Sequence, residues 1–213
     1  MMKKSICLMV GMFVCSTGFA AALTAKDIIS TITNLDDSYA TPKNAIDINK
    51  TQAVRLKSGE VAYLSGVEFE DAGRNFWGGY ILTRPKLKQS QILEYGGQAN
   101  SFKIYNAQAK TKPIQLVQLT SASSGQGEVS SRDDLVYFDG WKAYVVATAE
   151  SSSYPGRYSE KLGEEDCKTG ENIESTLKLV ADADYVLRTT KTSSACKGAK
   201  VTIKEDKIPF KIR

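Results

Sequence analysis

Ser175 and Lys178, and again Ser194 and Lys197, stand three residues apart, the spacing of a serine nucleophile and a lysine base. The chain holds 20 serines and 21 lysines, so matches of this kind arise by chance and carry no weight alone. Ser175 and Lys178 also fall in a strand-like run, where residues three apart point to opposite faces. The chain has no histidine. That removes Ser-His-Asp and Cys-His nucleophiles, His-ligated zinc hydrolysis and imidazole acid–base catalysis. Carboxylate pairs, Ser-Lys dyads and oxygen-ligated metals are what remain. Glu164, Glu165 and Asp166 form an acidic cluster, but a calcium loop needs a defined ligand spacing and a turn glycine. Asp182 and Asp184 are too sparse for one. No two acids stand out as the facing pair that glycoside hydrolysis requires. Neither a catalytic residue, a metal nor a cofactor is expected.

Two other stretches bear on binding. Ser124-Gly-Gln-Gly-Glu128 has the glycines of a phosphate loop. It lacks the Lys-Ser/Thr ending and is followed by a strand, not a helix. The reading is a connection over Ser123–Asp133. Phe76-Trp-Gly-Gly-Tyr80 puts two glycines in an aromatic run. Trp77 and Tyr80 are candidate binding residues, as a platform for a sugar ring or a peptide, or as aromatics covering glycine in the core. Tyr154, Arg157 and Tyr158 lie in a polar stretch, 151–173, that reads as a long loop. Tyr and Arg are favoured at binding hot spots, and long loops in compact domains tend to be functional. These three complete the candidate set.

The chain ends say where such a site would work. Lys3 and Lys4 precede an apolar run from Ile6 to Val14, and small residues follow at Gly18, Ala20 and Ala22. This is the order of a secretory signal peptide, cleaved near residue 22. The run is too short for a comfortable transmembrane helix. Lipid attachment at Cys15 would want a small residue before it, and Val14 stands there. After cleavage the chain keeps Cys167 and Cys196, which in an oxidising compartment read as a disulfide. Cleavage leaves 26 basic and 24 acidic side chains, a net charge of +2. With no basic stripe, nucleic acid is not an expected partner, and no integral membrane segment is expected.

The elements that must position these residues are almost all strands. Thr24 and Asp27 form a capping box for a short helix whose face is Ile28, Ile29, Ile32 and Leu35. A polar lead-in runs to residue 50. From there alternation and turn residues mark strands at Ala53–Lys57, Glu60–Glu70, Asn75–Arg84, Gln91–Tyr95, Ser101–Tyr105 and Ile114–Thr120. Glycines 96 and 97 read as the loop of a hairpin between Gln91–Tyr95 and Ser101–Tyr105. Asp139-Gly140 reads as the two-residue loop of a central hairpin, pairing Phe138 with Trp141. One face of that hairpin carries Val136, Phe138, Trp141, Ala143 and Val145, and the other Leu135, Tyr137, Tyr144 and Val146, so both faces are covered. Further strands are Ser175–Val180, Tyr185–Thr190 and a closing hairpin of Lys200–Lys204 and Lys207–Ile212 that turns at Glu205-Asp206, with Pro209 on an edge.

The expected fold is therefore all-β: an antiparallel sandwich or partly closed meander of about eleven or twelve strands with one short N-terminal helix. The organisation is a signal peptide (1–22), the helix and lead-in (23–50) and a single β domain (51–213). The expected function is that of an exported, soluble cell-envelope domain, periplasmic or secreted, without enzymatic activity, binding another protein. The alternatives are a carbohydrate-binding module using surface aromatics (Trp77, Tyr80 or Trp141) and a carboxylate-based hydrolase.

Overall fold

A computed structural model describes residues 23–35, 45–70, 77–109, 112–125, 128–153, 171–180, 183–194, 200–209 and 212. Eleven strands build two antiparallel sheets, ordered β1-β2-β3-β4 and β5 through β11 in sequence. The first sheet comprises β1 (Ile46–Arg55), β2 (Val61–Phe69), β3 (Gly78–Arg84) and β4 (Gln89–Gly97). The second comprises β5 (Ala99–Ala109), β6 (Lys112–Gly125), β7 (Glu128–Asp139), β8 (Lys142–Ser153), β9 (Glu171–Leu179), β10 (Tyr185–Ser194) and β11 (Thr202–Pro209). The fold class read from sequence is thus the observed one. β1 begins inside the stretch assigned to the lead-in.

Three apolar clusters divide the interior. Helix α1 (Ala25–Ser30) starts at the Thr24–Asp27 capping box. It seats Ile28 and Ile32 with Val67, Phe69, Ile81 and Ile92 on the outer face of the first sheet. Between the sheets lie Val54, Leu64, Tyr80, Leu82, Phe102, Val117, Leu119, Val136 and Phe138. On the other face of the second sheet, Ile114, Leu116, Leu135, Tyr137, Ala147 and Val186 are buried, with Leu177, Leu179 and Ile208 packed against them. β3 is buried on both faces because helix and second sheet flank it.

The β7–β8 hairpin carries apolar residues on both faces because the first sheet covers one and side chains of β9, β10 and β11 pack against the other. Its sequence reading holds except in register. Asp139 pairs with Lys142 and Phe138 with Ala143, so the turn residues are Gly140 and Trp141. Gly140 has φ of 61°, which puts glycine at the first central position of a tight turn. The slip is two residues in total, so both faces keep their assigned side chains. Val145 is the exception: it is 50% exposed.

Four other readings need correction. The Gln91–Tyr95 and Ser101–Tyr105 runs do not pair: β4 closes one sheet and β5 opens the other, so Gly96-Gly97-Gln98 is a corner between sheets. A methyl group at Gly96 would sit 2.2 Å from the Gly78 carbonyl oxygen, and one at Gly97 would sit 2.7 Å from that of Ala122. The glycines are there for backbone-to-backbone approach, not for a turn. Second, Ser123–Asp133 is not a loose connection. Apart from 126–127 it is the end of the β6–β7 ladder, held by hydroxyl contacts such as Ser123 with Ser130 at 3.0 Å. Third, the 151–173 stretch is shorter as a connection, since Ser151–Ser153 complete β8 and Glu171–Ile173 open β9. Fourth, Glu205 and Asp206 are no turn: β11 is one strand, and they pair with Thr189 and Arg188. Pro209 does lie on an edge strand.

Gly96→Ala should destabilise the protein by about 1–3 kcal/mol, the cost of overpacking. Urea unfolding followed by tryptophan fluorescence measures it; an unchanged midpoint would show that the corner can relax.

Candidate functional site

The inner face of β6 and β7 is core at one end and open at the other. Along β6 it reads Val117, Leu119, Ser121, Ser123, and along β7 it reads Phe138, Val136, Asp134, Arg132, Ser130. Ladder pairing sets these in rows across three strands: Leu119–Asp134–Thr148, then Ser121–Arg132–Glu150, then Ser123–Ser130–Ser152. Apolar side chains fill the rows that the first sheet covers. Hydroxyls and charges take over past its edge at Gly96 and Gly97. The result is a groove of about 780 Å³ lined by Thr148, by the second and third of those rows, by the two corner glycines and by Ser175, Arg188 and Thr190.

The far wall arises from a bend. β8 and β9 are joined by one ladder pair, Ser152 with Ile173. Beside it, the Ser151 hydroxyl accepts from the Ser175 amide at 2.9 Å. Arg188 on β10 then reaches across β9 to donate to the Thr148 carbonyl on β8 at 3.3 Å. Arg188 is held in turn by Asp206 at 3.0 Å, while its Nε is buried without a hydrogen-bond partner among the described residues. Arg188, with Lys204 second, keeps the Asp206 carboxyl below the usual aspartate range.

Arg132 is the groove's central charge. Its Nε donates to Asp134 at 2.7 Å and its Nη1 to Glu150 at 3.0 Å. The Asp134 hydrogen bond, more than any other influence, raises the guanidinium above its ordinary pKa, so Arg132 is always a cation. Asp134 is 5% exposed and also accepts from the Thr148 hydroxyl at 2.6 Å. This fixes one edge of the guanidinium and leaves the half-exposed remainder toward solvent.

The groove's hydroxyls and the Arg132 guanidinium are hydrogen-bonding groups. Among the described residues no lysine lines the groove. Lys178 is exposed on the face of β9 opposite Ser175, and Lys197 lies outside the described residues. Glu150 is ion-paired with Arg132 rather than set opposite a second free acid, the arrangement that glycoside hydrolysis needs. Among the described residues, no group of three acidic, His or Cys side chains is placed to hold a metal.

The residues singled out by sequence lie elsewhere. Trp77 is 48% exposed just before β3. Tyr80 is fully buried, which removes it as a surface platform. Its ring packs edge-on to Phe102, and its hydroxyl lies 2.7 Å from the Ser101 carbonyl and 2.5 Å from that of Thr120. It ties β3 to β5 and β6. Trp141 is half-buried against the inter-sheet core, with the Arg84 guanidinium 5.0 Å from its ring centre. The three aromatics thus form no shared surface. Tyr154, Arg157, Tyr158, Cys167 and Cys196 lie outside the described residues, as does the 164–166 acidic cluster. The groove was missed because its signal is only a repeated Ser-Ser (123–124, 130–131, 151–152), which becomes meaningful once the ladder aligns it.

No family model matches this chain, and neither a curated protein nor a solved structure matches it.

Burial, ahead of every other influence, pushes the Tyr80 phenol above the ordinary tyrosine range. A raised folded value for a neutral acid means stability that is complete below pH 10, the unfolded value, and lost as pH climbs through the folded one. Tyr80→Phe should therefore cost about 1–2 kcal/mol at neutral pH and blunt unfolding in strong alkali. Denaturant midpoints across pH 7–12 report both, and equal alkaline slopes in the two proteins would contradict this assignment.

Proposed function

We propose that this protein is an exported, non-enzymatic domain of the cell envelope, periplasmic or secreted, which binds another protein through the hydroxyl-lined groove. One observation carries the reading. The groove runs on, past the shared Ile173, into a second hollow of about 570 Å³ that adds Val129 and Val201 to the serines. Val129 and Val201 are exposed by 44% and 54%. Hydroxyls, a fixed guanidinium and an apolar rim together match the mixed surface of a polypeptide. A sugar site would want an aromatic platform, and among the described residues no aromatic side chain lines either hollow. Among the described residues no helix is long and apolar enough to cross a membrane.

Photo-crosslinking tests this. A benzoylphenylalanine at Ser152 should capture a discrete protein in the producing cells, and one at Lys178, exposed and facing away, should not. Equal capture at both positions, or none alongside strong glycan-array binding, would reject the proposal.

The disulfide fits the same reading. β9 and β10 pair Glu171 with Ser194. Cys167 lies four residues before the first and Cys196 two after the second, within chain reach of one another. A loop of 29 residues closed this way is worth about 3–4 kcal/mol. Non-reducing peptide mapping of protein from the exported fraction should find the linked pair. Two free thiols there would argue against export through an oxidising compartment.

A further inference from the structure

The sandwich has an open side. β1 is the outer strand of the first sheet and β5 of the second, and a hollow of about 620 Å³ lies between them, lined by Lys50, Gln52, Ala53, Phe102, Lys103 and Ile104 among others. Its floor is apolar: Phe102 is buried and Ile104 packs on the inter-sheet core. Its rim is cationic. The Lys50 ammonium stands 4.8 Å from the Phe102 ring centre, and neither it nor Lys103 joins an ion pair among the described residues.

On this side no strand pairs with β1. The Arg55 amide turns away from β2 and donates to the Gln115 side chain on β6 at 2.6 Å. Groups two residues apart on a strand point the same way, and no register shift falls between 53 and 55. The Ala53 amide therefore also faces out, and among the described residues nothing accepts it.

We propose that this mouth is a second binding site, independent of the groove, which takes an extended acidic segment of a partner protein as an added strand on β1. Three features converge on that occupant. An edge strand with the Ala53 amide open calls for an extended backbone. Alternation sends every second side chain of such a strand inward onto Phe102 and Ile104. Lys50 and Lys103 supply charge for carboxylates at the rim. No residue of the groove takes part, so failure of one site leaves the other standing.

The probe is a fluorescein-labelled nine-residue peptide of alternating Glu and Val, titrated by anisotropy against the full chain. Saturable binding that weakens with salt is expected. It should weaken at least tenfold in Ala53→Pro, which deletes the outward amide at an edge position where proline is tolerated. Lys50→Glu with Lys103→Glu should do the same, and this surface pair keeps the test valid if the proline variant misfolds. Absence of saturable binding would overturn the proposal. So would equal affinity for a Lys-Val peptide, equal affinity for a Glu-Gly peptide of the same charge, or unaltered binding in both variants. A dimer of the protein that the same substitutions dissolve would also overturn it, by assigning the edge to a second copy.

Discussion

The architecture depends on the close approach of two backbones at the corner where β4 gives way to β5. Gly78 meets Gly96 there, Gly97 meets Ala122, and neither meeting leaves room for a Cβ atom. Asn100 donates to the Gly79 carbonyl beside them at 2.5 Å, and the Tyr80 hydroxyl sits between the Ser101 and Thr120 carbonyls. These contacts set the angle at which the chain leaves one sheet for the next. Everything beyond β4 inherits that angle. A second fastening lies at the far end of the core. The Lys57 amide donates to the Phe138 carbonyl at 2.8 Å, Lys57 pairs with Asp139, and Arg84 bridges Glu60 and the Trp141 ring. Between these fastenings the inter-sheet core has little freedom to slide.

A fixed corner also decides where the first sheet stops covering the second. Rows of β6 and β7 under its cover are Val117 with Val136 and Leu119 with Asp134. One row further on, Ser121 stands opposite Arg132. Asp134 marks the boundary. It is nearly buried, and both of its oxygens are satisfied, one by Thr148 and the other by Arg132. A carboxylate there orients a guanidinium into the groove while sealing the polar end of the core. The same strands thus serve stability at one end and present open polar groups at the other.

What could be read in advance followed from local chemistry. The Thr24–Asp27 box predicts the helix start because capping involves residues three apart. Asp139-Gly140 predicts the hairpin because glycine alone accepts the turn's positive φ cheaply. Even a misplaced turn kept the faces, since a two-residue slip preserves alternation. What escaped was set by distant partners. Gly96-Gly97 looks like a turn until Gly78 and Ala122 arrive from elsewhere in the chain. Serine-rich strand ends look like loops, for their pairing partners supply the regularity that alternation lacks. Tyr80 looks like surface or core equally well; the carbonyls that hold it come from 21 and 40 residues away.

The distribution of serine explains why two open surfaces can coexist with a β-rich chain. An uncovered sheet face rich in valine or isoleucine would recruit other sheets. Here the uncovered face carries hydroxyls that bond to each other and to the backbone, as Ser123 does with Ser130 and Ser151 with Ser175. Such a face is stable in water yet keeps donors and acceptors that a ligand can engage by exchange rather than by stripping apolar surface. The β1 edge is protected differently, by a register shift between Ile48 and Lys50 and by the lysine itself, both of which discourage indiscriminate pairing. A lysine that repels random strands admits one bearing carboxylates. Protection and selectivity at that edge then come from the same side chain.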